Sequence, residues 1–168
     1  MPRKVRTISI VNEHGKVWRG VREARERGVI FDAANGRNNF SFRVALPAIA
    51  DGFLPDIIST DVTKEKLFAP PFVKNLPSLM AKYRMMGVEL TDIVRMVTEN
   101  PARAMKMEGQ IGTLAEGASG DITILKEIPK QVVYRDSLGQ EMTGDSLFVT
   151  QMTVCDGEIM YSAGDFHT

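Results

Sequence analysis

An alternation of predicted helices and strands at the start of the chain restricts its possible folds more than any other feature. GKVWRGVREARERG, residues 15–28, has the spacing of an amphipathic helix and ends at a glycine. VIFDA, residues 29–33, follows as a strand, and its unbroken apolar run predicts cover on both faces. FSFRVALPAIADG, residues 40–52, is the next predicted helix, and FLPDIIST, residues 53–60, the next strand. This order predicts βα units that share a parallel sheet.

The remainder of the chain changes character after residue 108. Helices are predicted after Asn75, which can cap the first of them, then near Thr91 and at Asn100-Pro101. The segments VVYRDSLGQ, DSLFVTQMTV and GEIMYSAG instead have the alternation of short strands joined by turns. We therefore predict an α/β unit over residues 1–108 and a β-rich unit over residues 109–168. Pro47 is expected to kink or delay the helix that contains it.

Polar residues follow both predicted strands of the first unit, at the position where α/β enzymes usually place their chemistry. Asp61 follows the second strand, and by position alone it is an aspartate that caps the following turn. Asn35, Gly36 and Arg37 follow the first strand. They are candidates for substrate binding, or they form an ordinary solvated turn.

Charge and residue counts exclude several classes of function. Lys plus Arg and Asp plus Glu both number 21, which does not favour nucleic acid or a charged membrane surface as a partner. No apolar stretch approaches the roughly 20 residues of a membrane span, and we predict a cytoplasmic protein. Cys155, the single cysteine, is expected to be buried on a strand. The two histidines, His14 and His167, lie at opposite ends and cannot form a histidine-rich zinc site of about three ligands.

The C-terminal half carries a recognisable signature. ENPARAM, followed by GQIGTLAEGASGDITIL, resembles the C-terminal motif of the amidohydrolase superfamily, with Gly120 at a position where the family usually has alanine. Upstream, GVIFDAANGRNNFSFRVA and GFLPDIISTDV resemble the late barrel strands of its amidohydrolase/deacetylase, dihydroorotase-like subgroup. The resemblance covers nearly the whole chain and corresponds to the C-terminal portion of such enzymes.

The resemblance implies part of a (β/α) barrel of the TIM type with a metal site at its C-terminal face, followed by a small β-sandwich-type region. It implies hydrolysis of C–N amide bonds in a cyclic amide or an N-acyl amino acid, with a divalent metal such as zinc. Where the family has approximately Asp-Val-Gly-His-Gly, this chain has DAANG at residues 32–36, so Asn35 replaces a histidine ligand. Asn is a poor transition-metal ligand. Of the family's ligand set only Asp61 is present, and the resemblance implies that it acts as a metal ligand and general base.

We therefore expect a chain that is inactive alone and binds metal through Asp61 only if the missing ligands are supplied in trans. The alternative is a degenerate relative that acts as a binding or self-associating module. An open parallel sheet leaves strand edges that need cover, which predicts a homo-oligomer. A third hypothesis, a small metal-free enzyme that uses Asp32, Asn35 and Asp61, is supported only by their positions at strand ends.

Overall fold

The structure, a computed structural model, describes residues 9–36, 38–64, 73–164 and 166. In chain order it contains α1 (Arg19–Glu26), β1 (Asp32–Ala34), α2 (Phe42–Ala50), β2 (Ile57–Ser59), α3 (Leu76–Met85), α4 (Leu90–Val97), α5 (Glu99–Ala104), β3 (Ile122–Arg135), β4 (Glu141–Cys155) and β5 (Glu158–Ser162). The predicted helix–strand–helix–strand order of the first unit is confirmed. None of the helices described here is both long enough and apolar enough to cross a membrane.

The first two strands form a parallel pair, as predicted. Asp32 lies opposite Ile57 and Ala34 opposite Ser59, so both strands end at the same edge. β1 is only three residues long, and Val29 and Ile30 ahead of it are 47% and 49% exposed. The expectation of cover on both faces is therefore wrong for the start of this apolar run, which lies outside the hydrogen-bonded ladder.

Local signals explain where the helices begin and end. Ser41 caps α2 by accepting a hydrogen bond from the backbone N–H of Arg43, and Asn75 caps α3 in the same way through Ser78. Gly28 has a φ of 91°, the left-handed conformation that ends α1. α2 begins well before Pro47 and includes it, so the proline does not delay the helix.

The β-rich part is one antiparallel sheet with the strand order β3-β4-β5. The predicted short strands are replaced by a long hairpin in which residues 136–140 connect β3 to β4. A second facing sheet is not found among the described residues, so the β-sandwich arrangement stays a prediction, as does the boundary at residue 108. Cys155 lies at the exposed end of β4, and the expectation that it is buried is wrong.

One hydrophobic core joins the two parts. Tyr134 and Phe148 from the hairpin belong to the same buried cluster as residues of α2, β2, α3 and α4. The fully buried side chains of this core include Phe42, Leu79, Tyr83, Val88 and Ile93. The hairpin is consequently packed on α3, and its turn reaches the segment that follows β1.

Candidate functional site

The carboxyl ends of β1 and β2 bring the candidate residues of the first unit together. The backbone N–H of Asn35 donates to the carbonyl of Ser59 at 2.8 Å, which extends the parallel pairing by one step. Asp61 lies two residues beyond Ser59, so it faces the loop that leaves β1. The shared edge is a consequence of the parallel pairing of β1 and β2.

Asp61 is exposed and has an unusual backbone conformation. Its φ is 44°, in the left-handed region that non-glycine residues rarely adopt. The Nδ2 amide of Asn39 donates to Oδ2 of Asp61 at 2.9 Å. A Cβ atom at Gly36 would collide with this carboxylate and with the Asn39 side chain, so a larger residue at this position would displace the ends of both side chains.

Asn35 points in a different direction, into the protein. It is 2% exposed, and its Nδ2 group donates to the carbonyl of Ala33 at 2.9 Å. Its Oδ1 atom accepts a hydrogen bond from the Nζ ammonium of Lys82 at 2.9 Å. The side chain is thus held by contacts within the chain. These contacts favour the interpretation of Asn35 as a structural residue of the turn over its interpretation as a substrate ligand.

Lys82 is a buried lysine on the inner face of α3. The residue is 2% exposed, and its ammonium lies 3.4 Å from the centroid of the Phe40 ring and 4.9 Å from that of Phe42. These distances are those of cation–π contacts. Next to it, burial raises the pKa of the Tyr83 hydroxyl, and a hydrogen bond with the Asn35 side chain partly opposes this effect.

The turn of the β3–β4 hairpin fixes the other end of the same loop. Asp136 is 3% exposed, and Oδ2 of its carboxylate accepts a hydrogen bond from the backbone N–H of Phe42 at 2.9 Å. Its Oδ1 atom accepts from the backbone N–H groups of Leu138 and Gln140 at 2.8 and 2.9 Å. Burial by itself raises the pKa of Asp136, but these backbone donors together hold that pKa below its usual value.

Ser137 adds two further bonds to this contact between the hairpin and the loop. Its backbone N–H and its Oγ hydroxyl donate to the carbonyl of Phe40 at 3.0 and 2.6 Å. The segment from Asn35 to Phe42, which we call the site loop, is therefore held at its start by Lys82 and at its end by the hairpin turn. Arg37, predicted to bind substrate, belongs to this loop but lies outside the described residues.

A groove of 1090 Å³ runs beside the site loop. Its wall includes Asp32, Asn38 and Asn39 from the strand-end region and Ser137 and Leu138 from the hairpin turn. Ser59 donates through its hydroxyl to both oxygens of Asp32, at 3.0 and 2.8 Å. The groove is open to solvent and slightly larger than the roughly 300–1,000 Å³ of typical small-molecule sites.

The described residues do not by themselves fit a catalytic divalent metal. Across the described ranges there is no group of three or more His, Cys, Asp or Glu side chains that could hold such an ion. The side chain of His14 is 79% exposed, and its imidazole lies 3.6 Å from Glu13. His167 lies outside the described residues. Asp61 is accessible as one ligand, whereas the Oδ1 atom of Asn35 is already bonded to Lys82.

Two residues of the site were missed from the sequence. Lys82 follows Leu79 by three positions and precedes Met86 by four, so helical spacing alone places it on the buried face of α3. Asp136 precedes Ser-Leu-Gly, a signal for a turn, but the bond from its carboxylate to Phe42 spans 94 positions. No local pattern predicts such a contact.

Comparisons with known proteins agree with this geometry. Residues 6–160 match the Amidohydrolase family. A deacetylase of Enterococcus faecalis is 31% identical over 137 residues, which are 82% of this chain and 37% of the relative. A deacetylase of Brucella anthropi is 30% identical over 131 residues, which are 78% of this chain and 32% of the relative.

Solved structures give the same result for the fold. An adenine deaminase is similar with a TM-score of 0.83 and 29% identity, over 92% of this chain and 41% of that chain. A dihydroorotase is similar with a TM-score of 0.73 and 29% identity, over 86% of this chain and 39% of that chain. The chain thus spans less than half the length of each of these proteins.

Proposed function

The chain belongs to the amidohydrolase family, and we propose on this basis that it forms the C-terminal portion of a metal-dependent hydrolase of C–N amide bonds. The observation that carries the proposal is the position of Asp61. Asp61 is exposed just beyond the carboxyl end of a parallel strand, in a left-handed backbone conformation, and accepts a bond from Asn39 of the groove wall. Backbone strain of this kind concentrates at functional sites.

The proposed substrate is a small molecule that contains an amide, either a cyclic amide or an N-acyl amino acid. The support comes from relatives described as deacetylases and from a similar structure described as a dihydroorotase. The groove beside the site loop offers polar groups from Asp32, Asn38 and Asn39 next to apolar surface from Leu138. Such a mixture suits a ligand with a polar amide and a less polar side group.

We propose that Asp61 becomes one ligand of a divalent metal, zinc by family analogy, when a further polypeptide segment supplies the remaining ligands. A catalytic zinc needs about three protein ligands, and one accessible carboxylate holds such an ion too weakly. The chain by itself is therefore inactive in this proposal. Asn35 takes no part in metal binding, because its Oδ1 atom is committed to Lys82.

Reconstitution tests this function directly. The chain would be co-expressed with the part of the Enterococcus faecalis deacetylase that precedes the segment similar to this chain. We expect a complex that purifies with zinc and hydrolyses an N-acetylated amino acid or dihydroorotate, while the chain alone does neither. Asp61→Asn should lower turnover of the complex by about 10²- to 10⁴-fold, the range for loss of a group that handles a proton.

Asp145→Asn is the matched control, since Asp145 is an exposed aspartate on β4, outside the strand-end region. It should leave zinc content and turnover of the complex unchanged. Stoichiometric zinc in the isolated chain, or a zinc-loaded and active complex that tolerates Asp61→Asn, would contradict the proposed role of Asp61.

A non-catalytic module that self-associates is the second candidate function, and a specific observation favours it. Ile159, Met160 and Tyr161 on the outer strand β5 are 63%, 67% and 50% exposed. Apolar side chains on an edge strand favour association with another chain. Analytical ultracentrifugation of the metal-free chain distinguishes the two functions. A stable dimer that neither binds the N-terminal part nor takes up zinc supports this alternative.

A further inference from the structure

A charged side chain occupies a core position beneath the site loop. Lys82 is as buried as its neighbours Ala81 and Tyr83, which are 2% and 1% exposed. An ammonium group that is moved out of water loses solvation that only close polar or aromatic contacts can replace. Lysine is therefore rarely fully buried unless its charge has a partner.

Packing alone does not account for a lysine at this position. A leucine or methionine could fill the space between the rings of Phe40 and Phe42 without the desolvation penalty of an ammonium. The distinguishing property of Lys82 is that its Nζ atom contacts both ends of the site loop. It donates to Oδ1 of Asn35 at 2.9 Å and lies 3.4 Å from the centroid of the Phe40 ring.

The residues between these two contact points include the partner of Asp61. Asn39 directly precedes Phe40, and its side chain donates to the Asp61 carboxylate at 2.9 Å. Gly36 directly follows Asn35 and passes against the same carboxylate. Lys82 thus contacts Asn35 and Phe40, which directly neighbour the two loop residues next to the Asp61 carboxylate.

We propose that Lys82 is a positioning residue for the strand-end site: its ammonium ties Asn35 to Phe40 and thereby places Asn39 against Asp61. The functional meaning of this placement rests on the proposed function, in which Asp61 is a metal ligand. The placement itself is a property of the isolated chain and can be measured without metal.

The experiment compares side-chain amide NMR signals and backbone hydrogen exchange in the full chain. Lys82→Met keeps the length of the side chain and removes the ammonium. We expect the Asn39 side-chain amide signals to shift and hydrogen exchange in residues 35–40 to accelerate at least about 10-fold, as for a loop released from a fixed position. Met96→Ala, a buried truncation in α4, is the control for general destabilisation. It should leave the Asn39 signals in place.

Asn35→Ala tests the same hydrogen bond from the side of its acceptor. This variant decides the question if Lys82→Met does not fold. It removes the acceptor on the loop and leaves the ammonium over the phenyl rings, so the Asn39 signals should shift in the same direction. In the double variant the shift should not increase further. The proposal would be overturned if the Asn39 signals were unchanged in Lys82→Met or, where that variant does not fold, in Asn35→Ala. Equal changes of these signals in Met96→Ala would also overturn it.

The reconstituted complex adds a second readout. Groups that hold a metal ligand in place typically contribute about 10- to 100-fold to metal affinity, so Lys82→Met should weaken zinc binding of the complex by that factor. If the complex takes up no zinc even with the native chain, the proposed function fails while the NMR result still decides the role of Lys82. If zinc binds and Lys82→Met leaves both the affinity and the Asn39 signals unchanged, only the positioning role fails.

Discussion

Two aspartates that contact the site loop are held in very different ways. Asp136, in the hairpin turn, is buried and accepts hydrogen bonds from three backbone N–H groups. Asp61, after β2, is exposed, has a left-handed φ of 44° and accepts a hydrogen bond from the side-chain amide of Asn39. The Asp136 carboxylate is engaged in hydrogen bonds within the hairpin turn and to the site loop. The Asp61 carboxylate remains accessible to solvent at a strand end. Burial and backbone hydrogen bonds therefore distinguish the structural aspartate, Asp136, from Asp61, the candidate metal ligand.

The largest effect is expected from removing the structural carboxylate. Asp136→Ala leaves three backbone N–H groups without their acceptor, and an unsatisfied buried donor typically costs about 1–3 kcal/mol. Since part of this turn can rehydrate, we expect the free energy of unfolding to fall by roughly 2–4 kcal/mol in urea denaturation. Asp145→Ala, an exposed change on β4, should stay within about 0.5 kcal/mol of the native chain. Equal effects of the two variants would show that the hairpin turn is not a fixed point of the fold.

The pH dependence of the free energy of unfolding shows how much of the stabilisation by Asp136 comes from its negative charge. The pKa of Asp136 is lower in the folded chain than in an unfolded one. Its stabilising contribution is therefore fully present above the unfolded value of about 3.9 and is lost as the pH falls through the lower folded value. The stability advantage of the native chain over Asp136→Asn should be constant near pH 6 and shrink toward about pH 2. Urea denaturation midpoints of the native chain and Asp136→Asn at several pH values measure this difference. A difference that stays constant down to low pH would contradict the lowered pKa of Asp136.

The contrast between these regions also explains what the sequence could reveal. The parallel pair β1–β2 and the Asn75 cap follow from local periodicity and capping, and both are confirmed. Asp61 was singled out by the resemblance to the amidohydrolase superfamily, and its position after a predicted strand places it at the carboxyl end of the sheet. These features depend on neighbours within a few positions.

The structural half of the site could not be predicted in the same way. Asp136 and Ser137 reach the site loop across 94 and 97 positions, and Lys82 reaches Asn35 across 47. Such contacts depend on how the hairpin packs on α3, which no short pattern encodes. The exposure of Val29 and Ile30 is another example, because the apolar run predicted burial while the described fold leaves it open.

The smallest change in the free energy of unfolding is expected for substitutions of Asp61. Its sign shows whether the backbone conformation or the side-chain contact of Asp61 matters more for stability. A residue with a φ of 44° is strained unless it is glycine, so Asp61→Gly should leave the free energy of unfolding unchanged or raise it by up to about 1 kcal/mol. Asp61→Ala should lower it by about 1 kcal/mol, because alanine tolerates the left-handed region less well than aspartate. Both variants lack the carboxylate and its bond to Asn39, so the gap between them measures the backbone strain of a Cβ atom at this φ, less the higher unfolded-chain entropy of glycine. Urea denaturation of the two variants at neutral pH gives the answer. If alanine and glycine were equally destabilising at this position, the carboxylate of Asp61 would be as structural as that of Asp136, and the distinction between the two aspartates would disappear.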